Sequence, residues 1–562
     1  MRAWCADPRP LEANVKSPRS RSRRSALRRR IAASVALVGL GAVTAAGCSA
    51  DPTGSAGTGD SDPDSKPALV ISLDSAVDIL DPQQWRTPGS MVTTGSLVEQ
   101  LIEQTYETDG IVNIGGTEME NALAESYTYS EDGTTITAVL REGLTFADGT
   151  PLTAEDVVWS YQRGLEGNTT YTKVLYAMVG LTSESFTAVD ERTIEIKAEF
   201  ASPLLDKMLA MQPFGILSQA TAEANATAED PFAEDWYRQN DNSSGPYTVA
   251  SFDPTTSIVL EPNPAYYDQD KIANGGITIQ FVSDPSQRAL LLQSGEIDLA
   301  GGLPLDQVAQ LEGVDGLQVV SESSNRLEYM GINTTQAPFD DARVRQAIAL
   351  ALPYQTFVDE IMYGYANAST GLVPEQMETY SADAGTFEQD LDAARALLAE
   401  AGVSDFSTTL SFKQSSAVES RAAVYIQSAL AEIGITVEIN ALPDAEFTQR
   451  TSARDLELYL NNFLGWGADP FYQMRSLVGT GSGTNFNNYG NAELDALIQT
   501  GFETQDAAER DAISAQAQQI IFEEMPVIPL WNPDWTYVVR EGVSGLTKDN
   551  TEQLRLQYLT KE

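Results

Sequence analysis

Ser407-Thr-Thr-Leu-Ser-Phe412 alternates small or polar residues with apolar ones. Ala417-Val-Glu-Ser-Arg-Ala-Ala-Val-Tyr-Ile-Gln-Ser-Ala-Leu-Ala-Glu-Ile433 follows, then Gly434 and Ile435-Thr-Val-Glu-Ile439. The first and last stretches have the period of two that suits a strand. The middle stretch carries Val424, Leu430 and Ile433 at helical spacing, and Gly434 can close it in the left-handed conformation. Strand, helix and strand within about 35 residues predict a right-handed βαβ crossover, hence a partly parallel sheet and an α/β fold. Working outward, Asp390 can cap a helix that Gly402 closes. Pro67-Ala-Leu-Val-Ile-Ser72 and Thr135-Ile-Thr-Ala-Val-Leu140 read as strands, the second after the turn Glu131-Asp-Gly133. Asp156 to Arg163 has helical spacing. No tandem repeat and no second low-complexity linker occur, so interleaved lobes are expected.

The chain has 562 residues, 42% of them hydrophobic and 20% charged. That is enough apolar material for a sizeable core and argues against a disordered or fibrous chain. Histidine is absent, which excludes Ser-His-Asp and Cys-His nucleophilic sites and His-ligated zinc. Cys5 and Cys48 are the only cysteines, too few for a disulfide framework or a thiolate cluster. Residues 1–30 hold ten Arg or Lys and two acids; residues 48–562 hold 25 basic and 78 acidic groups, a net charge of −53. So acidic a body repels phosphate backbones, and nucleic-acid binding is not expected.

The basic stretch ends at Arg30. Sixteen uncharged, mostly apolar residues, 31–46, precede Gly47-Cys48. They are short for a membrane span but suit a signal peptide. Ala45-Ala-Gly-Cys48 resembles the lipobox of bacterial lipoproteins, which implies a signal peptide over 1–47 and lipidation of Cys48; two or three acyl chains hold a protein stably on a membrane. The plainer alternative is a cleaved secretory signal. Ser22-Arg-Arg-Ser-Ala-Leu27 weakly resembles a twin-arginine export signal, so the export route stays open. Residues 48–66 are rich in Gly, Ser, Asp and Pro and read as a flexible tether. Asp60, Asp62 and Asp64 lack the glycine and distal glutamate of a calcium loop.

Several separated stretches share one resemblance. Ala124-Glu-Ser-Tyr-Thr-Tyr-Ser-Glu-Asp-Gly-Thr-Thr-Ile-Thr-Ala-Val-Leu-Arg-Glu-Gly-Leu-Thr-Phe-Ala-Asp-Gly-Thr-Pro-Leu-Thr-Ala-Glu-Asp-Val-Val158 is the most telling. Leu80-Asp-Pro82, Ser244-Gly-Pro-Tyr247, Glu261-Pro-Asn-Pro-Ala-Tyr-Tyr267 and Gly295-Glu-Ile-Asp-Leu299 agree with it in order. So do Pro338-Phe-Asp-Asp-Ala-Arg-Val-Arg-Gln-Ala-Ile-Ala-Leu-Ala351, Gly465-Trp-Gly-Ala-Asp469 and Val527-Ile-Pro-Leu-Trp531. Together they resemble the family 5 extracellular solute-binding proteins, the oligopeptide, dipeptide and nickel receptors of ABC importers. Locally these motifs are structural. Asp148-Gly149 makes a tight turn, Thr153 can cap a helix with an acidic first turn, and Val344, Ala347, Ile348 and Ala351 share one helical face.

The resemblance implies a periplasmic-binding-protein type II-like Venus flytrap, two lobes with an additional inserted domain. Domain I would comprise 67–105, 235–327 and 530–562, domain II 106–234 and domain III 328–529. It implies a monomeric, lipid-anchored receptor on the outer face of the cytoplasmic membrane, with no cofactor and no catalytic residue, delivering a peptide to an ABC permease and ATPase complex.

For the site, the resemblance implies that Asp469 pairs with a peptide's ammonium group, that Trp466 walls a side-chain pocket, and that Gly465 and Ala468 lie beside them. Asn485 and Tyr489, after a Gly-rich loop, are further expected ligand contacts. The residues alone allow Asp469, before Pro470, to start a turn, and Trp466 to be core. Some relatives place an arginine six positions before that aspartate for the ligand's carboxylate; here the residue is Phe463, and Arg450, Arg454 and Arg475 are the nearest arginines in sequence. Without histidine, nickel could be held only through a chelator or carboxylates. The same scaffold could take an oligosaccharide on Trp466, Trp531 and Trp535. A secreted acid hydrolase is the enzyme alternative, although no Asp-Thr-Gly or Asp-Ser-Gly motif and no phosphate-binding Gly-Lys loop occurs.

Overall fold

The computed structural model describes residues 66–562 apart from 85–86, 170, 382–384 and 386–387. The expected signal peptide, Cys48 and nearly all of the tether lie outside the described residues.

Leu69–Leu73 is apolar on both faces because it lies between two parallel neighbours, Ile277–Phe281 and Leu299–Gly301; strands covered on both sides read as continuous hydrophobic runs. These are the middle of a seven-stranded sheet. Its order is Leu317–Glu322, Trp535–Arg540, Leu299–Gly301, Leu69–Leu73, Ile277–Phe281, Ser257–Pro262 and Tyr247–Asp253. Thr135–Leu140 instead alternates half-buried and buried residues, as fits its place in a four-stranded antiparallel sheet with Ala124–Tyr129, Thr193–Lys197 and Phe186–Ala188.

The predicted crossover is present. Phe406–Lys413 and Ile435–Leu442 pair in parallel from Phe406 opposite Ile435 to Lys413 opposite Leu442, joined by the helix Ala417–Ala431. Gly434 has φ +89°. The core stripe differs from the expected one. Val424 is exposed, whereas Ala422, Ala423, Ile426 and Leu430 are buried; steps of three and four from Ala423 mark the face that meets the sheet. These strands belong to a six-stranded sheet ordered Ala366–Ala368, Val527–Pro533, Arg326–Ile332, Leu458–Leu464, Phe406–Lys413 and Ile435–Leu442. Val344, Ala347, Ile348 and Ala351 are fully buried in its core with Leu410, Phe412 and Ile435. Each of the larger side chains, Val344 and Ile348 among them, contributes roughly 1.5–3 kcal/mol by leaving water. Thr153 and Asp156 form a reciprocal capping box on the helix Ala154–Glu166.

The two large sheets share a ribbon. Leu317–Glu322 pairs antiparallel with Trp535–Arg540 in the first sheet, and Arg326–Ile332 pairs antiparallel with Val527–Pro533 in the second. The chain therefore crosses between sheets twice, at 323–325 and at Asp534. The crossings are tied together: Ser321 Oγ donates to the Asp534 carboxylate at 2.6 Å, and Asn532 Nδ2 to the Arg326 carbonyl at 2.9 Å. No described helix is long and apolar enough to cross a membrane.

Candidate functional site

Leu458–Leu464 leaves the six-stranded sheet through Gly465-Trp-Gly-Ala-Asp469. The turn is sharp, with Gly467 at φ +72° and Ala468 at φ +52°. Glycine at 467 meets the left-handed geometry without cost, and Ala468 holds it against the usual steric penalty. At 465 a β-carbon would run into Gln473 Oε1 and Met377. Pro470 at the first helical position and Asp469 as cap then start the helix Pro470–Val478. One Asp469 oxygen accepts the Tyr472 N–H at 3.0 Å, and the other takes a short ion pair from the Arg510 guanidinium. Arg510 also donates to the Gly501 carbonyl at 3.0 Å and lies 4.9 Å over the Phe471 ring. Asp469 is 1% exposed and Arg510 is 4% exposed. The carboxylate is thus enclosed and neutralised within the chain. Trp466 is half-buried and packs against the cluster that contains Met208, Met211 and Tyr472.

Gly467 forms part of the wall of a small, partly open pocket with about 20 Å³ of room. Gln104, Met119, Lys207, Met211 and Arg555 supply other parts, so the cavity joins segments up to 451 residues apart in sequence. Its cations are matched: Lys207 pairs with Glu378 at 2.8 Å and Arg555 with Asp549 at 3.0 Å. Beside Gln104, burial and the neighbouring Glu99 push the Glu103 carboxyl up to about 7, against the opposing pull of Lys271. Tyr266 donates its hydroxyl to Glu99 at 2.6 Å, so the acid pair is held by hydrogen bonds rather than exposed. The arrangement offers a small, partly open pocket with apolar and polar walls. Among the described residues no group of three or more His, Cys, Asp and Glu could hold a metal ion.

The family model for the bacterial extracellular solute-binding proteins, family 5, matches residues 118–485. The chain belongs to that family. It is 28% identical over 485 residues to the probable D,D-dipeptide-binding periplasmic protein DdpA of Escherichia coli (strain K12), covering 85% of this chain and 91% of the relative. It is also 28% identical over 500 residues to the glutathione-binding protein GsiB of Salmonella typhi, covering 86% and 91%. Among solved structures, the ABC transporter-associated periplasmic binding protein DppA from Helicobacter pylori, in complex with the peptide STSA, superposes with a TM-score of 0.75. It shares 26% identity over 88% of this chain and 98% of that one.

The remaining expected contacts of this family 5 solute-binding protein are tied into its own fold. Asn485 is buried, its Nδ2 donating to the Gly479 carbonyl at 3.0 Å and the Tyr489 carbonyl at 2.9 Å. Tyr489 donates its hydroxyl to Glu524 at 2.6 Å. Arg450 pairs with Asp455 at 3.0 Å, Arg454 donates to the Asn485 and Ser482 carbonyls, each at 3.0 Å, and Arg475 reaches the Thr480 carbonyl at 3.4 Å. Trp531 and Trp535 are buried and present no open ring face for a sugar. Of the expected residues, Gly465, Trp466, Ala468 and Asp469 are brought together in one turn. Lys207, Met211, Asp549 and Arg555 were missed, and no local motif marks them.

Proposed function

We propose that this protein is the lipid-anchored, extracytoplasmic substrate-binding subunit of an ABC importer, which captures short peptides between its lobes and passes them on chemically unchanged. The observation that carries this reading is the family match, together with the small pocket at the Gly465–Asp469 turn, where Gln104, Met119, Lys207, Met211 and Arg555 meet from separate stretches. Relatives named for dipeptide and glutathione binding support a ligand of that size and class. The domain division is domain I over 67–105, 235–327 and 530–562, domain II over 106–234 and domain III over 328–529. Cys48 carries the lipid. Trp466, Gly465 and Ala468 border the ligand, while Asp469 holds the turn in shape through Arg510 and the Tyr472 N–H. Asn485 and Tyr489 brace the loop that follows the helix Pro470–Val478.

The test uses the mature chain with a panel of di- and tripeptides, followed by calorimetry, thermal unfolding and mass spectrometry of the recovered peptide. Peptide at about 100 times its Kd adds about 2.7 kcal/mol to stability, and the peptide is recovered intact. A flat response across the panel, or hydrolysis of a bound peptide, defeats the reading.

A further inference from the structure

Residues 376–379 run past the Gly465–Asp469 turn, and each of the four is tied to a different part of the molecule. The Gln376 amide donates to the Ser324 carbonyl, in the 323–325 crossing. Met377 is buried, and its methyl group fills the space beside Gly465 that a β-carbon would need. The Glu378 carboxylate takes the Lys207 ammonium at 2.8 Å. Thr379 has φ +58°, a conformation that a β-branched residue adopts only under strain. Two side chains of the helix Ala507–Glu524 hold it there: Ser514 Oγ and Gln518 Nε2 donate to the Thr379 carbonyl at 2.8 Å and 3.1 Å. The Thr379 hydroxyl is buried and meets no partner among the described residues. The strain is thus imposed from outside, and it fixes the backbone that carries Glu378.

Lys207 sits on the five-residue helix Leu205–Leu209. In the domain division proposed above, that helix belongs to domain II and Glu378 to domain III, so the pair spans the cleft. Met208 reaches across beside it: a β-carbon on Gly467 would come within 3.0 Å of its methyl group. Lys207, Ala210 and Met211 line the pocket from one side and Gly467 from the other. With the pair made, the pocket has about 20 Å³ of room. That is space for about one water molecule, whereas sites that enclose a small organic ligand run to about 300–1,000 Å³. A dipeptide and the Lys207–Glu378 contact therefore exclude each other, and the helix must draw back from the turn before a peptide fits. The two side chains are 15% and 37% exposed, so water reaches both and the pair can part without stranding a charge.

We infer that the Lys207–Glu378 pair is an autoinhibitory latch, which holds the helix Leu205–Leu209 against the Gly465–Asp469 turn and competes with the peptide for the cleft. This rests on the peptide-receptor reading. Glu378 is the fixed half, held by its neighbours on both sides, and Lys207 is the half that moves. Free protein exchanges between a latched form and an open one; a peptide enters the open form, and the lobes then close over it. Because only the unlatched fraction binds, the latch lowers the affinity for every peptide by the same factor. A residue that touched the ligand would instead change some affinities more than others.

The test is calorimetry and small-angle scattering on the mature chain, free and with dialanine, trialanine and tetraalanine. Glu378 does not line the pocket, so E378Q opens the latch without altering the walls. It binds each peptide about two- to fivefold more tightly than wild type, the span expected of a partly exposed ion pair, and by one factor for all three. Free E378Q has a larger radius of gyration than free wild type and contracts further on saturation. K207E and E378K each set like charges face to face and open the latch more fully; the double variant K207E/E378K remakes the pair with its signs exchanged and returns the free radius to the wild-type value. Unchanged or weaker binding by folded E378Q, or free radii that do not respond in K207E and E378K, overturns the latch and leaves the receptor reading standing. Failure of both wild type and E378Q to bind any of the three peptides overturns both.

Discussion

Asp469 and Arg510 lie 41 residues apart in sequence, yet they pair with each other in the buried interior. A buried pair is worth little against an apolar replacement of the same shape, but losing one partner strands a charge out of water. R510M should therefore lower stability by about 3–5 kcal/mol. Adding D469N should recover a large part of that, because asparagine can still cap the helix and carries no charge. Urea titration of the single and double variants measures both effects; additive losses would show that the two residues do not act as a pair. The Gly-Trp-Gly-Ala-Asp segment was legible as a place. The role of its aspartate was not, because the residue that engages its second oxygen is a distant arginine that no local pattern marks.

At the scale of elements, what could be read was what a few neighbouring residues cause. The capping box at Thr153 and Asp156, the turn at Gly434 and the cap at Asp390 all follow from side chains within four positions of the backbone they satisfy. The helix Ala417–Ala431 shows where this fails. Val424 has helical spacing from Leu430 and Ile433 only loosely, and the sheet, not the sequence period, selects the face through Ala423 and Ile426. The same helix begins at Ser416, whose side chain accepts the Glu419 N–H at 3.2 Å. S416A should cost about 1 kcal/mol of stability. Because Glu419 in turn accepts the Lys413 backbone N–H, fraying there should also loosen the end of the parallel strand. Chemical denaturation gives the first number, and amide exchange at Lys413 reports the second; a protected Lys413 amide in a destabilised variant would separate the two.

The cavity belongs to the whole molecule, and this is why its walls could not be listed in advance. Gln104, Lys207, Gly467 and Arg555 come from four separate stretches that only the completed sheets bring together. Order in the sequence identified the architecture, since eight modest motifs in order specify a family far better than any one of them. It did not say which side chains face inward. Two neighbouring crossings, at 323–325 and at Asp534, give a pair of lobes the means to rotate as bodies while each sheet stays intact. Saturating peptide should accordingly reduce the radius of gyration in small-angle scattering. An unchanged profile with bound peptide would mean that ligand enters without closure.

The paired ribbon has one more consequence, for how the protein is made. Val527–Pro533 and Trp535–Arg540 follow each other late in the chain, and each fills an interior position in a different sheet. Neither sheet can close its hydrogen-bond ladder while the chain is still emerging from the ribosome. Both ladders stay incomplete until Val527–Arg540 is in place, so one short stretch added late completes two sheets together.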